Sequence, residues 1–341
     1  MKSNAVIFGC QGLSLTNEEA AFFQDVRPWG FILFKRNIEN PDQVRRLVDA
    51  LRGTINQPMA PILIDQEGGR VQRLGPPYWR RYPAGRAYGT LAANDPLARR
   101  EIARLGARLM ADDLNSLGIN VNCLPVLDLP SPGAHDVIGD RAYGLSVAEA
   151  ASLGRAAAEG LIAGGVLPVI KHVPGHGRAE ADSHLSLPVV DATLADLSAH
   201  DFEPFRILSD MPMAMTAHVV YRAIDPAHPA TTSRRVIRQI IRKSIGFGGL
   251  IMSDDLSMKA LAGNFGERTQ AAQGAGCDVV LHCNGQMAEM VMIAEAVKAL
   301  GGHALKRAKA AMARIARRPE PFNRAEALAR FDAAFEGKTS T

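Results

Sequence analysis

Short apolar runs and amphipathic stretches alternate along this chain. Eight of the apolar runs are rich in branched side chains and end at polar residues, glycine or proline, which is typical of buried strands. These runs are 5–8, 30–34, 61–65, 119–128, 166–171, 213–218, 249–254 and 277–283. Because each run is followed by a segment with helical features, the pattern predicts a parallel sheet.

Helical periodicity fills the intervals between the apolar runs. Over residues 102–117, apolar side chains recur three and four positions apart, which is the spacing of one helix face. The triplet Asn40-Pro41-Asp42 is a typical helix start and precedes a helical segment at 43–51. The segments 193–208 and 233–245 have similar patterns.

Eight strand and helix repeats predict an α/β fold that closes into a single (β/α)8 barrel of the TIM type. The alternative is an open, doubly wound sheet, but no GxGxxG motif follows the first strand. The barrel would span about 5–300, with a helical extension over about 302–341. No change in composition divides the chain, so we expect residues 1–341 to form a single domain.

Composition excludes several classes of partner. The 39 basic residues nearly balance the 35 acidic ones, and no stripe of basic and aromatic residues indicates nucleic-acid binding. No apolar run approaches the roughly 18 residues that span a membrane. The four cysteines lack paired spacing, and the first residues predict a strand rather than an export signal. We therefore expect a cytoplasmic protein with reduced thiols, and a monomer.

Polar residues end almost every predicted strand. They are Lys35-Arg36, Asp65, Asp128, Lys171-His172, His218, Asp254-Asp255 and Asn284. In a barrel of this type the active site lies at the carboxyl ends of the strands. The set therefore predicts a catalytic pocket, with the segment KHVPGHGRAEADSH at 171–184 as the loop after the fifth strand.

Three kinds of chemistry are compatible with the segment 171–184. Lys171 could form a Schiff base with a carbonyl substrate. A zinc site would use His172, His176, Asp182 and His184. Because proline and glycine separate the first two histidines, their rings cannot share a helix face, and we expect no metal. Asp182 could instead orient His184 for proton transfer.

Four motifs resemble glycoside hydrolase family 3. They are IDQEGGRVQRL at 64–74, IGDRAYG at 138–144, KHVPGHG with DSH within 171–184, and IMSDDLSM at 251–258. Each lies at a predicted strand end, and the resemblance extends from about residue 5 to residue 300. More narrowly, the chain is similar to the short bacterial β-N-acetylglucosaminidases of cell-wall recycling. Val173 and Ala142-Tyr143 depart from the family pattern, but neither position carries charge.

The resemblance implies a retaining glycosidase without a cofactor. Asp254 matches the family's nucleophile and would form a covalent glycosyl-enzyme. His184, oriented by Asp182, would take the acid and base role that a second carboxylic acid has in most retaining glycosidases. Gly175 and Gly177 would let this loop move over a bound sugar. The positions that match sugar contacts are Asp65, Arg73, Arg141, Lys171 and His172.

The implied substrates are small saccharides from the cell wall. They are N-acetylglucosaminyl-1,6-anhydro-N-acetylmuramic acid and its peptides, from which the enzyme would remove the terminal N-acetylglucosamine. The residues leave three alternatives: a phosphorylase that uses phosphate in place of water, an aldolase that uses Lys171, and a non-catalytic sugar-binding barrel.

Several of these residues also have a structural interpretation. By strand alternation the side chain of Asp255 points away from that of Asp254, which predicts a supporting role. Arg73 and Arg141 could form structural ion pairs, for which the candidate partners are Asp140 and Glu67. His176 and His218 are assigned no role.

Overall fold

Eight parallel strands close into a barrel in the computed structural model of the protein. The strands are β1 (Asn4–Gly9), β2 (Pro28–Leu33), β3 (Ile62–Ile64), β4 (Val121–Asn122), β5 (Leu167–Val173), β6 (Met213–Thr216), β7 (Leu250–Asp255) and β8 (Val279–His282). The structure describes residues 3–91, 95–131, 133, 136–179, 187–316 and 318–336. Each strand pairs in parallel with the next, and β8 pairs with β1. The predicted (β/α)8 barrel is confirmed.

Helices surround the barrel. They are α1 (Asn17–Val26), α2 (Pro41–Ile55), α3 (Gly85–Gly89), α4 (Pro96–Asn115), α5 (Val147–Ala163), α6 (Leu194–Ala199), α7 (Glu203–Ile207), the π-helix Val236–Ser244, α8 (Phe265–Ala275), α9 (Met287–Ala296), α10 (Gly302–Ala313) and α11 (Arg324–Phe335). Within the part of the chain that the structure describes, no helix is long and apolar enough to cross a membrane.

Local sequence explains where two of these helices begin. The side chain of Asn40 caps α2 by accepting a hydrogen bond from the amide of Gln43, and Pro41 occupies the first turn, as predicted. The segment 193–208 forms two helices, α6 and α7, rather than one. Pro204, in the first turn of α7, has no amide hydrogen to donate to a preceding helical turn, so a new helix starts there.

Alternation along the strands separates two apolar layers. In β1, Ala5 and Ile7 point into the barrel, whereas Val6 and Phe8 pack against the surrounding helices. The interior cluster continues through Trp29, Ile32, Leu63, Val121, Leu167, Val169, Met213, Met215, Leu250, Met252, Val279 and Leu281. Because these side chains fill the barrel, the interior is a packed core and any ligand site must lie at one of its ends.

Helix α10 covers the amino-terminal end of the barrel. Its residues Ala308 and Ala311, with Ile315 just beyond it, belong to the interior apolar cluster. Arg307 of the same helix pairs with Asp278, immediately before β8, at 2.8 Å. The cover leaves the carboxyl-terminal end of the strands as the open end.

The predicted strand at 119–128 is shorter than expected. Regular pairing covers only Val121–Asn122, and the ladder is interrupted at Pro125, which has no amide hydrogen to donate. The carbonyl oxygen of Pro125 still accepts a hydrogen bond from the amide of Lys171 at 3.1 Å, and Val126 forms an isolated bridge with Lys171. These contacts keep Asp128 beside the end of β5.

Candidate active site

A polar cavity of about 250 Å³ lies at the carboxyl-terminal end of the barrel. Its polar lining residues are Asp65, Glu67, Arg73, Arg141, Lys171, His172, His176, Asp254 and Asp255. Its floor is apolar, because Ile32, Met215 and Leu281 of the interior cluster line it from below. All the sequence-predicted site residues that the structure describes therefore share this cavity; they are Asp65, Arg73, Arg141, Lys171, His172 and Asp254. Asp182 and His184 lie outside the described residues.

The most buried polar residue that lines the cavity is Lys171, near the end of β5. Its Nζ lies 2.9 Å from Oδ1 of Asp65 and 2.6 Å from Oε1 of Glu67. Burial by itself lowers the pKa of Lys171, but the two carboxylates outweigh burial and hold the pKa above its ordinary value. Lys171 is thus a charged hydrogen-bond donor, whereas a Schiff base requires a neutral amine.

Two arginines complete this ion-pair network. Arg141 forms a two-pronged contact with Glu67, in which its Nε and Nη2 lie 2.9 Å from the two carboxylate oxygens. Arg73 Nη2 donates to Oδ2 of Asp65 at 3.2 Å. Burial raises the pKa of Asp65, but Lys171 and Arg73 outweigh it and hold the pKa well below its usual range. Both arginines therefore combine an ion pair with a position in the cavity wall.

Glu67 has a central place in the network, because it pairs with both Arg141 and Lys171. The sequence analysis named it only as a candidate ion-pair partner of Arg73 or Arg141, and the pair with Arg141 confirms that interpretation. Its side chain is 3% exposed, and it belongs to a short hairpin after β3, Gln66–Gly68 with Val71–Gln72. The neighbouring Gln66 fixes this hairpin by accepting hydrogen bonds from the amides of Arg73 and Leu74 at 3.0 Å. The signal in the sequence was a glutamate within the first motif, IDQEGGRVQRL, one position beyond Gln66.

A buried carboxylate also holds His172. The Nδ1 of His172 lies 2.6 Å from Oδ2 of Asp128, a residue with no exposed surface. Burial raises the pKa of Asp128, but His172 outweighs it and the pKa is lowered. Beside an ionised carboxylate, Nδ1 carries the proton, which leaves Nε2 as the ring nitrogen for a ligand. Asp128 ends a predicted strand, which was its only signal in the sequence.

The same carboxylate fixes the following loop. Oδ1 of Asp128 accepts a hydrogen bond from the amide of His176 at 2.7 Å. The ring of His176 lines the cavity, and burial together with the neighbouring His172 lowers its pKa to about 4. His176, which was assigned no role from the sequence, is therefore a neutral imidazole at neutral pH.

The glycines of this loop allow close packing. A Cβ on Gly177 would lie 1.9 Å from the carbonyl oxygen of Leu129, so no larger residue fits. Gly175 has a φ of +141° and accepts a hydrogen bond from the hydroxyl of Tyr221 at 2.5 Å. Up to residue 179 the structure thus gives these glycines a packing role; the predicted movement of the loop stays a prediction.

The end of β7 presents two neighbouring carboxylates. Asp254 and Asp255 both line the cavity, and the supporting role expected of Asp255 stays a prediction. The pairing of β7 with β8 shifts register between Met252 and Asp255, which breaks the regular alternation. Asp254 and Asp255 differ in the hydrogen bonds that their carboxylates accept. The carboxylate of Asp255 accepts hydrogen bonds from Ser257 Oγ at 2.5 Å and from the amide of Cys283 at 3.1 Å.

His218 forms a hydrogen bond with the backbone at the end of β7. It is fully buried, with Nδ1 2.7 Å from Oγ1 of Thr231 and Nε2 3.0 Å from the carbonyl oxygen of Asp255. Burial lowers its pKa, which keeps the ring neutral. His218 therefore holds β7 in place and does not line the cavity.

Asp254 faces the ion-pair network across the cavity. It ends β7, whereas Asp65 follows β3, four strands away in a ring of eight. Oδ1 of Asp254 accepts a hydrogen bond from the amide of Asp255 at 2.8 Å. The cavity thus combines fixed donors and acceptors on one wall with a carboxylate on the other. Such an arrangement can bind a small polyhydroxylated molecule and bring one of its atoms to Asp254.

Comparison with known proteins agrees with this geometry. The sequence profile described as "Glycosyl hydrolase family 3 N terminal domain" matches residues 10–318. The chain belongs to glycosyl hydrolase family 3. Its relatives include proteins named beta-hexosaminidase, from Bordetella avium (39% identical over 283 residues, 82% of this chain and 80% of the relative) and from Alkalilimnicola ehrlichii (40% identical over the same shares).

A solved structure of the same family has the same architecture. The crystal structure of NagZ from Neisseria gonorrhoeae in complex with N-trifluoroacetyl-D-glucosamine superposes with a TM-score of 0.85 at 34% identity. The match covers 98% of this chain and 96% of that protein. This family-3 chain is a glycoside hydrolase, and the cavity at its strand ends is the candidate active site.

Proposed function

We propose that this family-3 enzyme is a retaining exo-β-N-acetylglucosaminidase that needs no cofactor. Its substrates would be N-acetylglucosaminyl-1,6-anhydro-N-acetylmuramic acid and its peptides, and its product would be free N-acetylglucosamine. The names of the relatives and the N-acylglucosamine bound to the solved neighbour support the proposal. The enzyme would act as a single-domain monomer in the cytoplasm, in the recycling of cell wall and thereby in cell shape and division.

One observation carries this proposal. Asp254 lies across a blind cavity of about 250 Å³ from the buried network of Asp65, Glu67 and Lys171. Because the packed barrel interior closes the floor, a sugar enters with its non-reducing end first. Its hydroxyls then meet fixed charged donors and acceptors, and its anomeric carbon faces Asp254. A blind pocket of this kind removes one terminal sugar at a time.

The proposed reaction has two displacement steps. The carboxylate of Asp254 attacks the anomeric carbon and the bond to the leaving oxygen breaks, while the imidazolium of His184 gives that oxygen a proton. The resulting imidazole then takes a proton from water, whose oxygen displaces Asp254. Two inversions retain the β configuration. Asp182 would orient the imidazole and raise its pKa.

The proposed sugar contacts follow the cavity wall. Asp65, Arg73, Arg141, Lys171 and His172 would bind the hydroxyl groups of the terminal sugar. The charged state of Lys171 argues against an aldolase, because the amine is not available as a nucleophile. Product analysis with and without phosphate distinguishes a hydrolase from a phosphorylase, since only the latter forms a sugar phosphate.

Trapping the covalent intermediate tests the proposal. A fluorinated N-acetylglucosamine analogue with a good leaving group should label the enzyme, and mass spectrometry should find the label on Asp254 in the peptide that contains 251–258. Asp254→Asn should keep its melting temperature and lose both labelling and turnover. A label on Asp255 or Asp65 would show that the nucleophile is assigned wrongly.

A further inference from the structure

Helix α11 is held to the outside of the barrel by ion pairs with α4. Nη1 and Nη2 of Arg324 each lie 2.6 Å from a carboxylate oxygen, the first of Asp112 and the second of Asp113. Further along the helix, Arg330 pairs with Glu101. Because Asp113 is buried, its pair with Arg324 is less screened by solvent than a fully exposed pair.

A hydrogen bond connects Asp113 to the loop after β3. Oδ2 of Asp113 accepts this bond from the hydroxyl of Tyr82 at 2.6 Å, whereas Oδ1 faces Arg324. Tyr82 is buried, and its ring packs edge-on against that of Phe331 of α11, with 6.3 Å between the centroids. Tyr82 is therefore held to α11 twice, by ring packing and by the polar chain through Asp113.

The backbone of Tyr82 in turn holds the hairpin that carries Glu67. The amide of Tyr82 donates a hydrogen bond to Oε1 of Gln72 at 2.9 Å, and its carbonyl oxygen accepts one from the amide of Gly69 at 2.8 Å. Gly69 lies in the turn of this hairpin, and Gln72 ends its second strand. A displacement of Tyr82 therefore moves the backbone that places Glu67.

A second series of contacts leads from α11 to Arg141. Phe335 of α11 meets the buried ring of Tyr88 edge-on, with 5.7 Å between the centroids. Tyr88 belongs to α3 and stacks on Tyr143 at 5.8 Å. The same helix begins at Gly85, where a Cβ would lie 2.4 Å from the carbonyl oxygen of Arg141. Helix α3 thus packs both against α11 and against the backbone of Arg141.

We propose that Tyr82, held by α11, is a positioning residue that sets the affinity of the sugar pocket by keeping Glu67 and Arg141 in place. The proposal rests on the proposed function, in which Arg141 and Lys171 bind the terminal sugar. Asp254 lies on the opposite wall of the cavity, and none of the contacts that lead from α11 passes through β7. Loosening α11 should therefore weaken sugar binding and leave the reaction of bound substrate at Asp254 largely unchanged.

Tyr82→Phe tests the polar connection, because it removes the hydroxyl and retains the ring. On an aryl N-acetylglucosaminide we expect KM to rise about fivefold, the effect of one lost buried hydrogen bond, with kcat within about twofold of wild type. Arg324→Gln should act in the same direction, since Asp113 loses its charged partner. The inhibition constant of N-acetylglucosamine should rise by the same factor as KM.

Arg155→Gln is the matched control. Arg155 of α5 forms a two-pronged ion pair with Asp210, at 2.8 Å and 3.2 Å, on another part of the barrel surface. The control should lower the melting temperature about as much as Arg324→Gln does and leave KM unchanged. A lower melting temperature with an unchanged KM in Tyr82→Phe and Arg324→Gln would overturn the proposal, because α11 would then contribute to stability alone.

Hydrogen exchange provides a readout that does not depend on turnover. Because the amide of Gly69 donates to Tyr82, a peptide that covers 66–75 should exchange faster in Tyr82→Phe and Arg324→Gln than in wild type or in Arg155→Gln. Wild-type exchange of this peptide in Tyr82→Phe would also overturn the proposal. Faster exchange in an enzyme without any N-acetylglucosaminidase turnover would refute the proposed function and leave the role of Tyr82 in placing the hairpin standing.

Discussion

Lys171 and Glu67 form a buried ion pair, 2.6 Å between Nζ and Oε1, with side chains that are 2% and 3% exposed. Burial raises the pKa of Glu67, but Lys171 and Arg141 outweigh it and lower the pKa to about 2. Each charge is held in a dry environment by its partner. Removal of one partner therefore leaves the other charge buried and uncompensated.

Glu67→Gln should for this reason damage both stability and activity. We expect a loss of about 3 kcal/mol in the free energy of unfolding and a large fall in kcat/KM on an aryl N-acetylglucosaminide, because Lys171 and Arg141 lose their orientation. Denaturant unfolding and steady-state kinetics measure the two effects. The control is Glu18→Gln, an exposed glutamate of α1, which should change neither. Wild-type stability in Glu67→Gln would show that the pair is dispensable.

The same pair predicts a pH dependence of stability. The folded pKa of Glu67, about 2, lies below its ordinary value of 4.5. Its contribution is therefore fully present above pH 4.5, and it is lost as the pH falls through 4.5 towards 2. The difference in unfolding free energy between wild type and Glu67→Gln should shrink over this range. A difference that stays constant from pH 5 to pH 2.5 would contradict the low pKa.

Asp128 should act on the substrate through His172. Asp128→Asn removes the charge that sets the tautomer of His172, and we expect a rise in KM of about tenfold, the effect of one lost charged hydrogen bond. In a His172→Ala background the same substitution should have little additional effect on KM, because the two residues act as one unit. Steady-state kinetics of the four enzymes measure the coupling. Fully additive losses would mean that Asp128 has a separate role.

His184 should matter most for poor leaving groups. If it is the general acid, His184→Ala should lower kcat/KM on the disaccharide by about 10²–10⁴, but only mildly on a nitrophenyl glycoside, whose phenolate leaves without a proton. Azide should restore turnover of the nitrophenyl glycoside and give a β-glycosyl azide. Asp182→Asn should show a weaker form of this pattern. Equal losses on both substrates would mean that His184 binds sugar or supports the loop.

Gly177 should not tolerate a side chain. Because a Cβ there would lie 1.9 Å from the carbonyl oxygen of Leu129, Gly177→Ala should displace the loop after β5. We expect a loss of about 1–3 kcal/mol in stability together with reduced kcat/KM. Gly53→Ala is the matched control, since a Cβ at this position of α2 meets nothing within 4 Å. A thermal melt that is unchanged in Gly177→Ala would contradict the packing role.

The sequence by itself determined the barrel and the end at which the cavity lies. Apolar periodicity depends only on neighbours along the chain, so eight strand segments were recognisable without a structure. Polar residues at strand ends then predicted Asp65, Lys171 and Asp254 as cavity residues, because all parallel strands end at the same edge of the barrel. The four motifs that resemble family 3 predicted the class of enzyme.

Only the tertiary structure decided which charges meet. Lys171 and Asp65 are 106 positions apart, and Arg141 and Glu67 are 74 apart. No local pattern specifies such pairs, because they depend on strand register and on the hairpin after β3. The register shift that brings Asp255 into the cavity beside Asp254 has the same origin. Periodicity along one strand is a local property, whereas the partner of a buried charge is set by the packing of the whole barrel.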